Sequence, residues 1–369
     1  MTETIQRPYT TVTLQGTPYQ IGCQQGESLK QIPGWVNFLG SCAPEWSQQH
    51  YAEAKRLYEQ FCPGLNEEIQ GLTDTIGISP DRLIYHFFTY LLPPRCSHFV
   101  LLPDQTANGH SLHGRSYEFN IETNDNRFCL TRPQGKHAHY GNTSLLLGRL
   151  DGMNENGLVV TMTAGGIPIG NTPELRPPVQ QGLQFWVVVR SLLENCKDVS
   201  EALDWLKEIP CGGNPILMLS DSQGQAARVE IYGAKKSIRS VEAGYLTATN
   251  HFSDPEMEPH NGFVMANSPM RAKRIQSWIE EHSRTAGMDE GKQLLSAKYP
   301  QGLCCHYYAE TFGTLHSMLF DPQAKEIQIC FGSPAENGWY SYDFRSGDIP
   351  GKEYMVSFPQ ETAPASFWR

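Results

Sequence analysis

Pro93-Pro94-Arg95-Cys96-Ser97-His98-Phe99 divides this chain into two textures. Paired prolines lack the N–H that a helix needs and push the residue before them out of helical geometry, so they end helix formation just ahead of Cys96. Upstream, residues 1–95 read as mostly helical. Ile21-Gly22-Cys23-Gln24-Gln25-Gly26-Glu27 leads into one helix. A second, over residues 46–62, sets Trp46, Tyr51, Ala54, Leu57, Tyr58 and Phe61 at helical spacing and stops at Pro63-Gly64. Residues 65–76 and 80–92 predict two more, the latter started by Ser79-Pro80-Asp81. Downstream, strand-like runs occupy 97–102, 111–117, 127–132, 143–149 and 157–164, separated by Gly, Asn and Asp turns. Helical patterns at 181–195 and 200–207 precede strand pairs, 215–220 with 225–232 and 236–241 with 245–249. Ser222-Gln223-Gly224 reads as a hairpin turn. Helices at 268–283 and 289–297 follow, and two last strands, 313–320 and 326–332, flank Asp321-Pro322-Gln323-Ala324. Strands, helices, strands, helices, strands in that order predict an α+β fold, with antiparallel sheets and helices layered outside.

Composition narrows the function. A chain of 369 residues, 39% hydrophobic, buries the core of one large or two medium domains. The net charge of −10 comes with no basic block, which argues against nucleic acid and anionic membrane surfaces as partners. MTETIQRPYTTVTLQG has neither a charged n-region nor an apolar h-region, and no stretch approaches the roughly 18 apolar residues of a membrane span. A cytoplasmic location is the expectation, and higher oligomers are compatible with it. Ten cysteines in a long chain without an export signal read as mostly reduced and buried. Cys304 and Cys305 are adjacent, unable to share an unstrained bridge.

Four stretches carry polar chemistry in a fixed order. The first joins Cys96-Ser-His-Phe-Val to Gly114-Arg115-Ser-Tyr-Glu118-Phe119. Next comes Asp151-Gly-Met-Asn-Glu-Asn-Gly-Leu-Val-Val160, and third is Ala248-Thr-Asn250-His-Phe252, followed by Asn267-Ser-Pro-Met-Arg271. The fourth is Thr314-Leu-His-Ser-Met-Leu-Phe-Asp321, with Gly332-Ser-Pro334 behind it. Together with the opening Gly16-Thr-Pro-Tyr-Gln-Ile-Gly22, this order resembles the acyl-coenzyme A:6-aminopenicillanic acid acyltransferase family, itself related to choloylglycine hydrolases and penicillin V acylases. The resemblance implies a four-layer αββα N-terminal-nucleophile hydrolase fold, matured by autocatalytic cleavage before the nucleophile. Residues 1–95 would be a helical pro-segment that stays as a heterodimer partner, and 96–369 the catalytic domain. Carried over by motif, Cys96 is the nucleophile and Arg95–Cys96 the bond that is cut. Arg115 and Glu118 match the Gly-Arg motif and the acid after it, and Asn250 the Asn of the Thr-Asn motif. Arg271 is a weaker match to a downstream site arginine. The chain carries Glu118 where that family usually has Asp, and Arg95 rather than a small residue before the nucleophile.

The chemistry is coherent apart from the resemblance. A thiol near its reference pKa of about 8.5 is mostly protonated at neutral pH and needs a base. Cutting Arg95–Cys96 creates one, because an α-amino group titrates near about 7.7–8. Arg115 can hold the thiolate or a substrate carbonyl without losing its charge. Glu118 can orient the α-amino group. The Asn250 amide can donate to the oxyanion, with a backbone N–H near Thr163–Ala164 as second donor. The expected substrate is a small acyl amide or acyl thioester, with no cofactor. Its acyl group passes through a thioester to water or to an amine. Two rivals remain at this point: His251 as a papain-like base for Cys96, and an uncleaved scaffold that binds acyl ligands. His98, His110, His113, His137 and His139 lack carboxylate or cysteine partners at ligand spacing, so no metal is expected. The glycines of residues 164–170 precede no Lys-Ser/Thr, so they are not a phosphate loop.

Overall fold

A computed structural model describes residues 4–32, 34–41, 48–88, 95–167, 169 and 176–369, without the side chains of 86–88. The expected helix ends at 46–47 and 89–92, the Pro93-Pro94 pair, and Pro168 and Gly170 lie outside these residues. The first segment holds strand β1 (Thr4–Gly16) and helices α1 (Pro18–Lys30), α2 (Trp35–Gly40), α3 (Gln48–Phe61), α4 (Leu65–Ile76) and α5 (Pro80–Phe88). From Arg95 the chain turns to strands: β2 (Arg95–Leu101), β3 (Leu112–Phe119), β4 (Arg127–Pro133), β5 (His139–Ser144), β6 (Gly148–Arg149), β7 (Asp151–Asn154) and β8 (Val159–Ala164). Helices α6 (Phe185–Asn195) and α7 (Val199–Glu208) follow. Strands β9 (Pro215–Ser220), β10 (Ala226–Tyr232), β11 (Lys235–Val241) and β12 (Tyr245–Ala248) come next, then α8 (Asn267–Glu281) and α9 (Met288–Ser296). The last strands are β13 (His306–Tyr307), β14 (Phe312–Asp321), β15 (Glu326–Phe331), β16 (Trp339–Asp343) and β17 (Lys352–Pro359).

Among the described residues the strands form two sheets. One runs β11-β10-β9-β8-β7-β5-β4-β1-β17, with β6 beside β5; the other runs β12-β2-β3-β14-β15-β16, with β13 beside β14. Strand β2 packs across onto β8 and β9, α6 covers the first sheet on β5–β8, and α8 and α9 cover the second on β2, β3, β12 and β14. This is the expected α+β architecture in four layers, helix, sheet, sheet, helix. Strands β8 and β14 are buried along their whole length because both of their faces are covered.

The described part of residues 1–95 is mostly helical, as expected, but it opens on a strand. Strand β1 sits inside the larger sheet, parallel to β4 and antiparallel to β17. The helices behind it form for ordinary reasons. Thr17 and Gln20 make a capping box at the start of α1. On α4, Leu65, Ile69 and Leu72 line one buried face, and Gly77 ends the helix in left-handed geometry. Those faces share one apolar core with both sheets: Leu57, Ile69 and Leu72 belong to the same cluster as Val160, Val188 and Met318. Further departures lie downstream. The run at 143–149 is two strands broken by a turn, with Leu145 and Leu146 at positive φ. Strands β16 and β17 extend the fold beyond the two that were expected to be last.

Candidate active site

Alternation along a strand puts every second side chain on one face. In the β2–β3 pair, Cys96 lies opposite Tyr117 and His98 opposite Arg115, so these four face the larger sheet. Arg95 lies opposite Glu118, on the face toward α8. Gly114 permits the close approach that this geometry needs: a Cβ there would fall 2.1 Å from the Phe99 ring. Arg115 is fully buried and donates from Nη2 to Cys96 Sγ at 3.5 Å, and from Nη1 to the Met162 carbonyl.

Arg271 approaches the same residue from α8. Its Nη1 donates to the Cys96 carbonyl at 2.8 Å and to Ser97 Oγ at 2.7 Å. Its Nη2 donates to Asn250 Oδ1 at 2.6 Å and to Asn267 Oδ1 at 2.8 Å. Held at its oxygen, Asn250 aims its Nδ2 at Thr163 Oγ1, 2.8 Å away, and at the Ala164 carbonyl, 3.4 Å away. Thr163 Oγ1 in turn lies 3.5 Å from the Cys96 carbonyl. Ala164 thus meets the site through its oxygen.

Glu118 is a buried carboxyl with unequal oxygens. Oε1 accepts from Ser116 Oγ and, at 3.1 Å, from Thr314 Oγ1. Oε2 is buried with no hydrogen-bond partner. Burial pushes this acid up to about 7, against the pull of Arg271 and of its hydroxyl donors. Burial also pushes the Cys96 thiol up to about 12, with Arg115 pulling the other way. At neutral pH the sulfur in this structure is therefore a thiol. Arg95 sits with its guanidinium 5.4 Å from the ring centres of both Phe312 and Trp368, and its Nη1 is buried without a partner.

Residues 105–336 match the family described as acyl-coenzyme A:6-aminopenicillanic acid acyl-transferase. The chain belongs to that family. An uncharacterized protein of Archaeoglobus fulgidus is 22% identical over 240 residues, which cover 58% of this chain and 39% of that protein. The chain thus spans about two fifths of the length of this curated relative. Among solved structures, a penicillin V acylase from Agrobacterium tumefaciens matches at 16% identity with a TM-score of 0.47, covering 68% of this chain and 86% of its own. A conjugated bile acid hydrolase mutant from Clostridium perfringens matches at 12% identity with a TM-score of 0.45, covering 73% of this chain and 99% of its own.

The acyl-transferase family match begins nine residues after Cys96 and does not include it. The site geometry gathers Cys96, Arg115, Glu118, Asn250, Ala164 and Arg271 from three strands (β2, β3 and β8), the segment that follows β12, and helix α8. His251 follows a different course. Its Nδ1 contacts Ser268 Oγ at 2.8 Å and Thr249 Oγ1 at 3.2 Å, and among the described residues no hydrogen bond joins it to Cys96. Burial and Arg271 lower it to about 4. Sequence reasoning missed Asp151 and His316. Asp151 lies 2.7 Å from Arg115 Nε, a close ion pair whose N–H is not aimed along the contact. His316 Nε2 lies 2.8 Å from the same oxygen. Both residues stand in the quoted stretches 151–160 and 314–321, but only folding shows that they meet. Among the described residues no cluster of three His, Cys, Asp or Glu is placed to hold a metal, and no helix is long and apolar enough to cross a membrane.

Proposed function

We propose that this chain is a self-processing cysteine amidohydrolase or acyltransferase that works through a thioester on Cys96. The observation that supports it best is the convergence on one residue: Arg115 at the Cys96 sulfur, Arg271 at its carbonyl, and an unpaired Glu118 oxygen beside the Arg95–Cys96 bond. In the first step the Cys96 sulfur attacks the Arg95 carbonyl. The C–N bond breaks, the thiol proton goes to the departing nitrogen, and a thioester links Arg95 to the sulfur. Water then adds to that thioester, releasing Arg95 as a carboxylate and restoring the thiol. Cys96 now carries a free α-amino group. Glu118 Oε2 accepts one of its N–H groups, which accounts for an acceptor left unpaired in the uncut chain.

With a base in place, the sulfur attacks the carbonyl of a linear acyl amide. The amine leaves with a proton, and the acyl group stays on sulfur until water or a second amine takes it. Asn250 Nδ2, set by Arg271, donates to the oxyanion; one such donor is commonly worth about 3 kcal/mol of barrier. Intact-mass and N-terminal analysis of wild type and Cys96→Ala test the reading. Wild type should split into a small piece of about 11 kDa, in proportion to 95 of 369 residues in 41.5 kDa, and a large piece that starts at Cys96, while the variant stays whole. A single 41.5 kDa band for both, with no amine released from a panel of acyl amides and acyl thioesters, would leave the acyl-binding scaffold instead.

A further inference from the structure

Asp151 and Tyr9 have no part in the chemistry above, yet hydrogen bonds and one ion pair tie them to it. Asp151 is fully buried at the start of β7, and both of its oxygens are taken. Oδ1 accepts from Asn142 Nδ2 at 2.7 Å and from the Asn142 backbone N–H at 3.2 Å. Oδ2 faces Arg115 Nε at 2.7 Å and His316 Nε2 at 2.8 Å. Burial opposes the charge on Asp151, but His316 and Arg115 hold the carboxyl down at about 2. An ionised carboxylate can only accept, so His316 carries its proton on Nε2. One link further out, Asn142 Oδ1 accepts from the Tyr9 hydroxyl at 2.6 Å. The Tyr9 ring is stacked on Phe331 at 4.5 Å, so its hydroxyl is fixed in place. A continuous chain therefore runs Tyr9, Asn142, Asp151, Arg115, Cys96. It starts on the strand that precedes the Arg95–Cys96 bond and ends on the sulfur.

Such a chain is costly in an apolar core, where each polar group must keep its partner. A well-packed apolar substitute of the same volume often stabilises as well or better, so stability alone does not require it. Position does. Arginine is long and flexible; its Nη atoms reach the Met162 carbonyl and, at 3.5 Å, the Cys96 sulfur, while its Nε end has Asp151 beside it. We propose that Asp151 is the positioning residue for Arg115, and that Tyr9 fixes Asp151 through Asn142, which makes the segment ahead of the cut a working part of the active site. The proposal rests on Cys96 being the nucleophile. Other charged or titratable groups around the chain are His98 on β2, His113, Tyr117 and Glu118 on β3, Cys129 on β4, Arg271 on α8, and Asp125 ahead of β4.

The test follows alkylation of Cys96 by iodoacetamide against pH in the processed protein, both pieces present and Cys96 at the new N-terminus, read from the mass of the peptide that contains it. Wild type, Tyr9→Phe and Asp151→Asn are compared, with thermal melting recorded for each. Tyr9→Phe removes one hydroxyl and should slow alkylation at neutral pH about threefold. Asp151→Asn should slow it about tenfold and move the profile upward by roughly one pH unit, since a unit is a factor of ten. Unchanged profiles in both variants would sink the positioning role while leaving the nucleophile intact. A downward shift in Asp151→Asn would mean that Asp151 acts only as a charge opposing the thiolate, and would overturn the proposal as well. If Asp151→Asn fails to fold, Tyr9→Phe decides alone. No alkylation of wild-type Cys96 up to pH 10 would instead remove the nucleophile reading beneath it.

Discussion

Glu118 is a buried acid raised from 4.5 to about 7, and its sign of action on stability follows from that direction. The folded chain holds its proton more tightly than the unfolded chain does. Stability is therefore greatest below about pH 4.5 and falls as pH rises through 7, by about 3 kcal/mol at most. In a Cys96→Ala background, where neither protein can process itself, Glu118→Gln should lose this decline. Urea unfolding between pH 4.5 and 8 measures it, and parallel curves for the two proteins would refute it. Other residues show what a linear text carries. Cys96, Arg115, Glu118 and Asn250, which the fold brings near one another, stand inside ordered motifs of the sequence. Arg271 was read as a weak match because an arginine early in a helix is more often a solvated charge. Only the docking of α8 on β2 turns it inward to the Cys96 carbonyl. Asp151 was unreadable as an anchor because Asp-Gly at a strand start looks like turn chemistry.

Helices α1 and α4 are joined to the catalytic body by a buried polar cluster as well as by apolar faces. Glu68 on α4 pairs with Arg190 on α6 at 2.5 Å and accepts from Gln25 on α1 at 2.6 Å. Gln25 in turn accepts from Arg127 on β4 at 2.9 Å. Arg190 also pairs with Glu194 at 2.7 Å, so removing Glu68 leaves the buried cluster one negative charge short and Gln25 without its acceptor, and Glu68→Ala should cost about 3 kcal/mol. Glu53→Ala, which breaks an exposed pair with Arg56 on α3, should cost under about 1 kcal/mol. Chemical denaturation of the two variants compares them, and equal losses would show that the cluster is no anchor. Elements with strong periodicity were legible: the helix expected at 65–76 is α4, and the strand expected at 215–220 is β9. The missed strands have identifiable causes. Pro8 argues against a strand, yet β1 accommodates it opposite Met355. Strands β16 and β17 are largely exposed or only partly buried, and their apolar signal is thin.

At the scale of the whole molecule, the α+β class was legible from the order of elements, but the strand order was not. Nothing local says that β1, at one end of the sequence, pairs with β17 at the other and with β4 between them. That pairing decides what happens after the proposed cut. The small piece would not be a lid over the catalytic domain, because it supplies an interior strand. Its loss would strip β17 of its sheet partner, open the shared core at Leu57, Ile69 and Leu72, and leave Arg190 without Glu68. The contacts are apolar or buried, so salt screens them little. The two pieces of the processed protein should therefore co-elute in gel filtration, in low salt and at 1 M salt alike. They should also unfold in one transition, as a single cooperative unit does. Denaturant alone should part them. Recovery of an active large piece after the small one has been washed away under native conditions would contradict this, and would show that β1 is dispensable once the fold has formed.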